Sequence, residues 1–346
     1  MKYIILIIFL LSFFAFNCKS PTAPKSNIPL DTTSSNFTWQ VDTIGAEGSV
    51  LYDVVLINDT LAYAVGAIYI NGNFYNLARW NGRTWSFFTL KGFPPGSGGD
   101  SAFGGGTAVF ANNTNDIWVS AGFVFHFNGH TWTPRYNTGA EAANKIWESP
   151  DARQLYFVGN NGLIAYSPDH GVTWQKIETS TTLPFQDIWG NGGQVLAVAS
   201  DKFGLGGKYL VSLNGNISTA LNDTIPTAVS LSGIWFEANQ EYYLVGDGVL
   251  NKNSLASKVW NYDYNRIAAS YYSFAIRGTG LNNIVIAGGY GDVSFYNGKR
   301  WTEYKQLYNP IDQLRSVSIK GNTIVAVGTR TYNGIKYYGV TYIGRR

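Results

Sequence analysis

The stretch Ala78–Phe87, "ARWNGRTWSF", holds the reading that decides the fold, because the chain writes it again. "FHFNGHTWTP" follows from Phe125, "AYSPDHGVTW" from Ala165 and "SFYNGKRWTE" from Ser294. In each copy a Gly stands three residues before a Trp: Gly82 and Trp85, Gly129 and Trp132, Gly171 and Trp174, Gly298 and Trp301. Asn-Gly between two apolar runs is a strong hairpin signal, and a type I′ turn there requires positive φ at both residues. The Trp is then expected to open an outer strand, cover the hairpin and pack on the next unit, burying a large ring area.

Working outward, the same order of parts recurs along the chain. "DVVLINDTLAYAVGA" begins at Asp53, "AVFANNTNDIWVSAG" at Ala108, "KIWESPDARQLYFVG" at Lys145 and "DIWGNGGQVLAVAS" at Asp187. "GIWFEANQEYYLVGD" begins at Gly233, "FAIRGTGLNNIVIAGG" at Phe274 and "SVSIKGNTIVAVGT" at Ser316. Each is a short apolar strand, a polar turn and an alternating strand ending near Val-Gly or Ala-Gly. Period-two alternation with turn residues every eight to twelve positions marks strands. Seven units of about 44 residues, with four strands each, predict an all-β, seven-bladed β-propeller with four antiparallel strands per blade. The seventh unit ends at "YYGVTYIGRR" without a Trp-bearing outer strand, whereas "FTWQVDTIG" from Phe37 resembles the outer strand "VTWQKIETS" of the third unit. The N-terminal strand is therefore expected to close the last blade and remove an open sheet edge.

Composition agrees. The 346 residues are 16% aromatic, 14% charged and include 39 Gly. This suits short strands and tight turns rather than long solvated helices. The net charge is +3 and no basic run occurs, which argues against nucleic acid. A single cysteine, Cys18, permits neither an intrachain disulfide nor a cysteine metal cluster.

The first 17 residues, with Lys2 followed by an apolar run from Ile4 to Phe16, have the form of a secretory signal peptide. "AFNC", with Cys18 directly after the apolar run, resembles the lipobox of bacterial lipoproteins, which implies cleavage before Cys18 and its acylation. Residues 18–36, the lipidated cysteine and a Ser/Thr/Pro/Asn-rich stretch, read as a flexible tether, and residues 37–346 as the propeller. The expected location is the bacterial outer membrane, periplasmic or surface-facing, with a monomeric body held to the membrane through the lipid anchor only.

"SPDHGVTW" resembles the Asp-box of the sialidase and BNR-repeat propellers, matching at Ser167, Asp169, Gly171, Thr173 and Trp174. Local chemistry explains these residue types. The Asp169 carboxylate can accept backbone N–H groups in the turn, Gly171 supplies the unusual backbone angle and Trp174 clamps the hairpin. The box is a fold element in that family. The "IWG" and "AVG" cores also look like the propellers of the photosystem II assembly-factor type, over the chain from Phe37 onward.

No catalytic constellation emerges. The Arg-Ile-Pro motif of sialidases is absent, and Arg83 and Arg300 sit within the turn motif itself. Glu148, Asp187, Glu237 and Asp292 are candidates for a carboxylate pair by number only, although Glu148 and Glu237 follow inner-strand tryptophans. His126 and His130 flank one hairpin and His170 lies inside the Asp-box turn, none placed as a base, and no zinc spacing is present. No metal and no cofactor are expected. Trp147, Trp189 and Trp235 share one inner-strand position, with Phe110 in the second unit and Arg277 in the sixth. These are the candidate ligand-binding residues, by stacking and cation–π contacts, unless they serve inter-blade packing. The expectation is a non-catalytic cell-envelope lipoprotein acting as a binding or assembly scaffold for a protein or glycan partner. The alternative is an extracellular polysaccharide-acting enzyme of the glycoside hydrolase kind.

Overall fold

The computed structural model describes residues 32–92, 101–102, 104–137, 143–201, 207–226, 230–262 and 272–346. The expected signal segment, Cys18 and most of the expected tether lie outside them. No helix among the described residues is long and apolar enough to cross a membrane.

Seven four-stranded antiparallel sheets follow one another around a ring. Blade 1 runs outward through Val50–Asn58, Leu61–Ile70, Asn73–Trp80 and Trp85–Phe88. The innermost strands of the next five blades are Ala108–Asn113, Ala143–Glu148, Phe185–Asn191, Leu231–Glu237 and Ser273–Gly278. Each innermost strand touches the innermost strand of both neighbouring blades, so the ring is closed. Blade 7 is built from both ends of the chain. Asp312–Lys320, Thr323–Tyr332 and Lys336–Arg345 are completed on the outside by Thr38–Ile44. That strand pairs antiparallel with Lys336–Arg345, from Thr38 opposite Arg345 to Ile44 opposite Gly339, as the repeat predicts.

There is no single core. The buried apolar side chains form one slab between each pair of neighbouring blades. Alternation is what makes this possible. In the second strand of blade 7, Ile324 and Ala326 face blade 6 while Val325 and Val327 face blade 1. Both faces of the sheet are therefore buried, and such a strand reads as a continuous apolar run.

The turn motif has a different geometry from the one expected. In "WNGRTW" the positive φ falls on Gly82 (+90°) and not on Asn81. Asn81 instead turns its side chain back. Its Oδ1 accepts the N–H groups of Arg83 at 3.0 Å and Thr84 at 2.9 Å, while its own N–H donates to the Thr84 carbonyl. This is an Asx turn over a four-residue loop rather than a type I′ hairpin, because the side-chain amide replaces backbone curvature. Asn128 builds the same turn, and so does Asn297. A two-residue hairpin with both φ positive does occur at Asn71 (+50°) and Gly72 (+78°), between the middle strands of blade 1. The tryptophans do open or immediately precede the outer strands. They pack on the preceding blade, however, not the next: Trp85 against blade 7, Trp132 against blade 1, Trp174 against blade 2 and Trp301 against blade 5.

Candidate functional site

The innermost strands carry a β-bulge near their beginning in blades 1, 3, 4, 5, 6 and 7. A bulge inserts one residue that has no partner across the ladder and re-aims its side chain. The inserted residues are Tyr52, Asn144, Gln186, Ser232, Phe274 and Arg315. All six line one cavity of about 620 Å³ at the centre of the disc, and Thr107 joins them from blade 2. The repeat thus puts one variable side chain per blade around the mouth of a funnel.

Chemistry is unequal around the ring. Blades 6, 7 and 1 supply Tyr272, Phe274, Arg315 and Tyr52. Arg315 lies over the Tyr52 ring at 5.6 Å and its Nε donates to Thr329 Oγ1 at 3.3 Å. Burial pushes its pKa down, partly offset by Tyr52. Blades 3 and 4 supply the amides of Asn144, Asn160 and Gln186. Asn144 donates to the Phe185 carbonyl at 2.9 Å and Gln186 to the Ser200 carbonyl at 2.8 Å, which orients both amides. One carboxylate, Asp201, is among the lining residues.

Just beneath the mouth, buried charges tie the ring together with a spacing of three blades. Asp53 of blade 1 accepts the N–H groups of Val54 and of Val109 in blade 2, and pairs with Lys145 of blade 3. Asp187 of blade 4 repeats the device. It accepts from Ile188 and from Ile234 of blade 5, and binds Arg277 of blade 6 through two hydrogen bonds of 2.8 and 2.7 Å. Burial opposes the Arg277 charge, but Asp187 outweighs it and the guanidinium pKa is raised. Such pairs persist because every oxygen is satisfied.

The candidate tryptophans, Phe110 and Arg277 occupy one repeat position. Phe110 lies opposite Trp118 and faces the following blade, as Trp147 does opposite Tyr156. The tryptophans bridge successive blades. Trp189 Nε1 donates to the Phe236 carbonyl at 3.2 Å and Trp235 Nε1 to the Gly278 carbonyl at 3.1 Å. Trp147 packs so close over Gly190 that a Cβ there would meet the ring at 2.2 Å. Arg277 stacks on Trp189 at 5.3 Å. None of the four is among the residues lining the funnel.

The turn from Ser167 to Trp174, which resembles an Asp-box in sequence, is built as its residues dictate. Asp169 Oδ1 accepts from Thr173 N at 2.8 Å, Oδ2 accepts from Thr173 Oγ1 at 2.7 Å, and Ser167 Oγ accepts from Gly171 N at 2.8 Å. Gly171 has φ +75° and Trp174 Nε1 donates to its carbonyl at 3.2 Å.

On the opposite face of the disc lies a cluster that sequence spacing conceals. Glu148, the last residue of its innermost strand, does not approach the axis. Its Oε2 accepts from Asn112 Nδ2 at 2.6 Å and Trp118 Nε1 at 3.2 Å, and its Oε1 lies 2.7 Å from His170 Nδ1. Asp116 Oδ1 lies 2.9 Å from His126 Nε2 and 3.7 Å from His170 Nε2. Burial, then the Asp116 charge, pushes the Glu148 carboxyl up to about 9. Burial also acts on Asp116, yet hydrogen bonds, first from His126, leave its pKa lowered. Burial lowers that of His170. His126 and His170 come from different blades, so no local motif announces the pair. Asp187 belongs to the charge ring, Asp292 receives Ser294 Oγ and Glu237 ends its strand half-buried, so the four carboxylates named from sequence do not form one site.

The fold and the funnel define a seven-bladed β-propeller. No protein-family model matches the chain, and no curated protein does. Among solved structures it is similar to YCF48 bound to a D1 peptide, at 15% identity and TM-score 0.64, covering 91% of this chain and 97% of that one. It is also similar to YCF48 from Cyanidioschyzon merolae, at 14% and 0.60, covering 89% and 98%. The RRP9 WD40 repeats match at 8% and 0.64, covering 90% and 100%. At these identities the likeness is one of fold.

Proposed function

We propose that the chain is a non-catalytic binding scaffold of the bacterial cell envelope, a lipoprotein that holds a segment of a protein partner in the funnel. The ring of bulge residues carries this reading. Six equivalent backbone positions present six different side chains, so the scaffold is repeated and the contact surface is not. A mostly aromatic and cationic side facing an amide side suits an extended peptide. Asn144 and Gln186 would meet its backbone, and Arg315 with Tyr272 and Phe274 would meet an acidic or aromatic side chain. The likeness to YCF48, a propeller solved with a D1 peptide, supports a peptide partner. The resemblances to the BNR-repeat propellers and the lipobox belong to this reading, with Cys18 as the anchor.

Crosslinked pull-down from membranes tests it. The native chain should capture one partner that Arg315→Ala and Phe274→Ala variants lose at least tenfold. Equal capture by all three would remove the funnel from the proposal, and selective signal on a glycan array run in parallel would move it to a glycan. Cys18→Ser should release the chain from membranes.

A further inference from the structure

From the geometry on the face opposite the funnel, we infer that Asp116, His126 and His170 form a three-ligand site for a divalent transition metal ion of the zinc type, clipping blade 2 to blade 3. One ligand atom from each lies within 4.8 Å of the others. Two ligands held at about 2.0–2.1 Å in a tetrahedral shell stand roughly 3.3 Å apart. The separations of Asp116 Oδ1 from the two Nε2 atoms, 2.9 and 3.7 Å, bracket that value. Small side-chain movements suffice to seat an ion between them.

The surroundings are those of a metal ligand set. His170 presents Nε2 to the cluster while its Nδ1 engages Glu148 at 2.7 Å, the carboxylate–imidazole arrangement that orients a metal-bound histidine. Asn112 reaches both carboxylates, Asp116 Oδ2 at 3.2 Å and Glu148 Oε2 at 2.6 Å, and so sets their relative position. His126 is 4% exposed and its ring stacks on Trp118 at 4.2 Å. Its Nε2 faces Asp116 and so the ion position, while its Nδ1 lies buried on the far side of the ring. His170 is delivered by the Asp-box turn at φ +55°. Gly171 lets that turn press onto Trp118, which a Cβ would meet at 2.4 Å. The His170 side chain remains 37% exposed, which leaves solvent access for a fourth ligand, water. Two imidazoles and one carboxylate favour zinc over calcium or magnesium, which take oxygen ligands.

The chain has three histidines, and His130 is exposed outside the cluster, which makes a built-in control. The full-length protein in detergent, stripped with a chelator, is titrated with Zn²⁺ by calorimetry and with Co²⁺ by visible absorption. One ion per chain, a four-coordinate Co²⁺ spectrum and a Zn²⁺-dependent rise in melting temperature are expected for the native chain and for His130→Ala. His170→Ala and the near-isosteric Asp116→Asn should abolish all three, and Glu148→Gln should weaken binding by about 10–100-fold. Absence of stoichiometric binding, or binding that survives both His170→Ala and Asp116→Asn, overturns the inference. So does binding lost in His130→Ala.

Discussion

Glu148 shows how much one buried carboxyl can govern. Its folded pKa of about 9 stands far above the ordinary carboxyl value of 4.5 that serves for the unfolded chain. Between those values the folded protein holds a proton that the unfolded chain has released. The contribution of this carboxyl to stability therefore falls as pH rises from about 5 to about 9, by at most about 1.4 kcal/mol per pH unit for one proton. Glu148→Gln keeps the neutral shape and should flatten that slope, as read from urea unfolding at several pH values with a chelator present. An unchanged slope would place the proton elsewhere. Sequence pointed to Glu148 for the wrong reason, its place after Trp147 on an inner strand. Asn112, Trp118 and His170 make its environment, and they come from separate hairpins. Arg277 is a parallel case. Its oddity among tryptophans was legible, but Asp187, which answers it, lies 90 residues away and two blades back.

At the scale of the strand, the Val-Gly endings that mark the repeat acquire a cause. Where the inner strand bulges, its backbone carbonyl swings against the second strand. A Cβ on Gly246 would stand 1.8 Å from the Ser230 carbonyl oxygen, and one on Gly328 1.8 Å from that of Gln313. Gly66 and Gly288 meet Val50 and Tyr272 in the same way. The glycine is needed for space rather than for an unusual φ. Gly246→Ala should cost about 1–3 kcal/mol, as overpacking does in a close-packed interior, and denaturant unfolding measures it. A loss below a few tenths would mean that the bulge can relax. The repeated glycine was visible in the sequence, whereas the bulge it accommodates was not. Tyr52, Asn144, Gln186, Ser232, Phe274 and Arg315 share a backbone role but no chemistry, so alignment by residue type passes over them. The Asn-Gly turns were misread by a related logic. The dipeptide signals a turn, and only the side-chain bonds of Asn81 decide which one.

For the molecule as a whole, closure rests on Thr38–Ile44 lying against Lys336–Arg345. Around that joint Phe37 and Trp39 pack on Tyr304, with ring centroids at 6.2 and 5.0 Å, and Arg346 lies over Phe37 at 4.9 Å. Deleting residues 37–44 leaves an unpaired sheet edge, a template for pairing with other chains. The shortened protein should self-associate in light scattering, and a synthetic peptide of those residues should return it to the monomer. A monomer without the peptide would show that the ring does not need the strand. This architecture was the most legible level of all. Seven repeats each bear the same pattern, so misjudging one residue in one unit leaves the count unchanged. The funnel and the histidine cluster depend on single side chains brought together once.

The joint also fixes an order in time. The strand that completes blade 7 is made before any of the seven inner strands, and its partner is made after all of them. Lys336–Arg345 stands between Thr323–Tyr332 and Thr38–Ile44, so loss of residues 336–345 removes both ladders at once. Until that strand is made, six blades can form but the disc stays open with its edges unguarded, a state prone to association. Closure thus waits on a single late strand, and only the closed ring brings the bulge residues of blades 1 and 7 together at the mouth of the funnel.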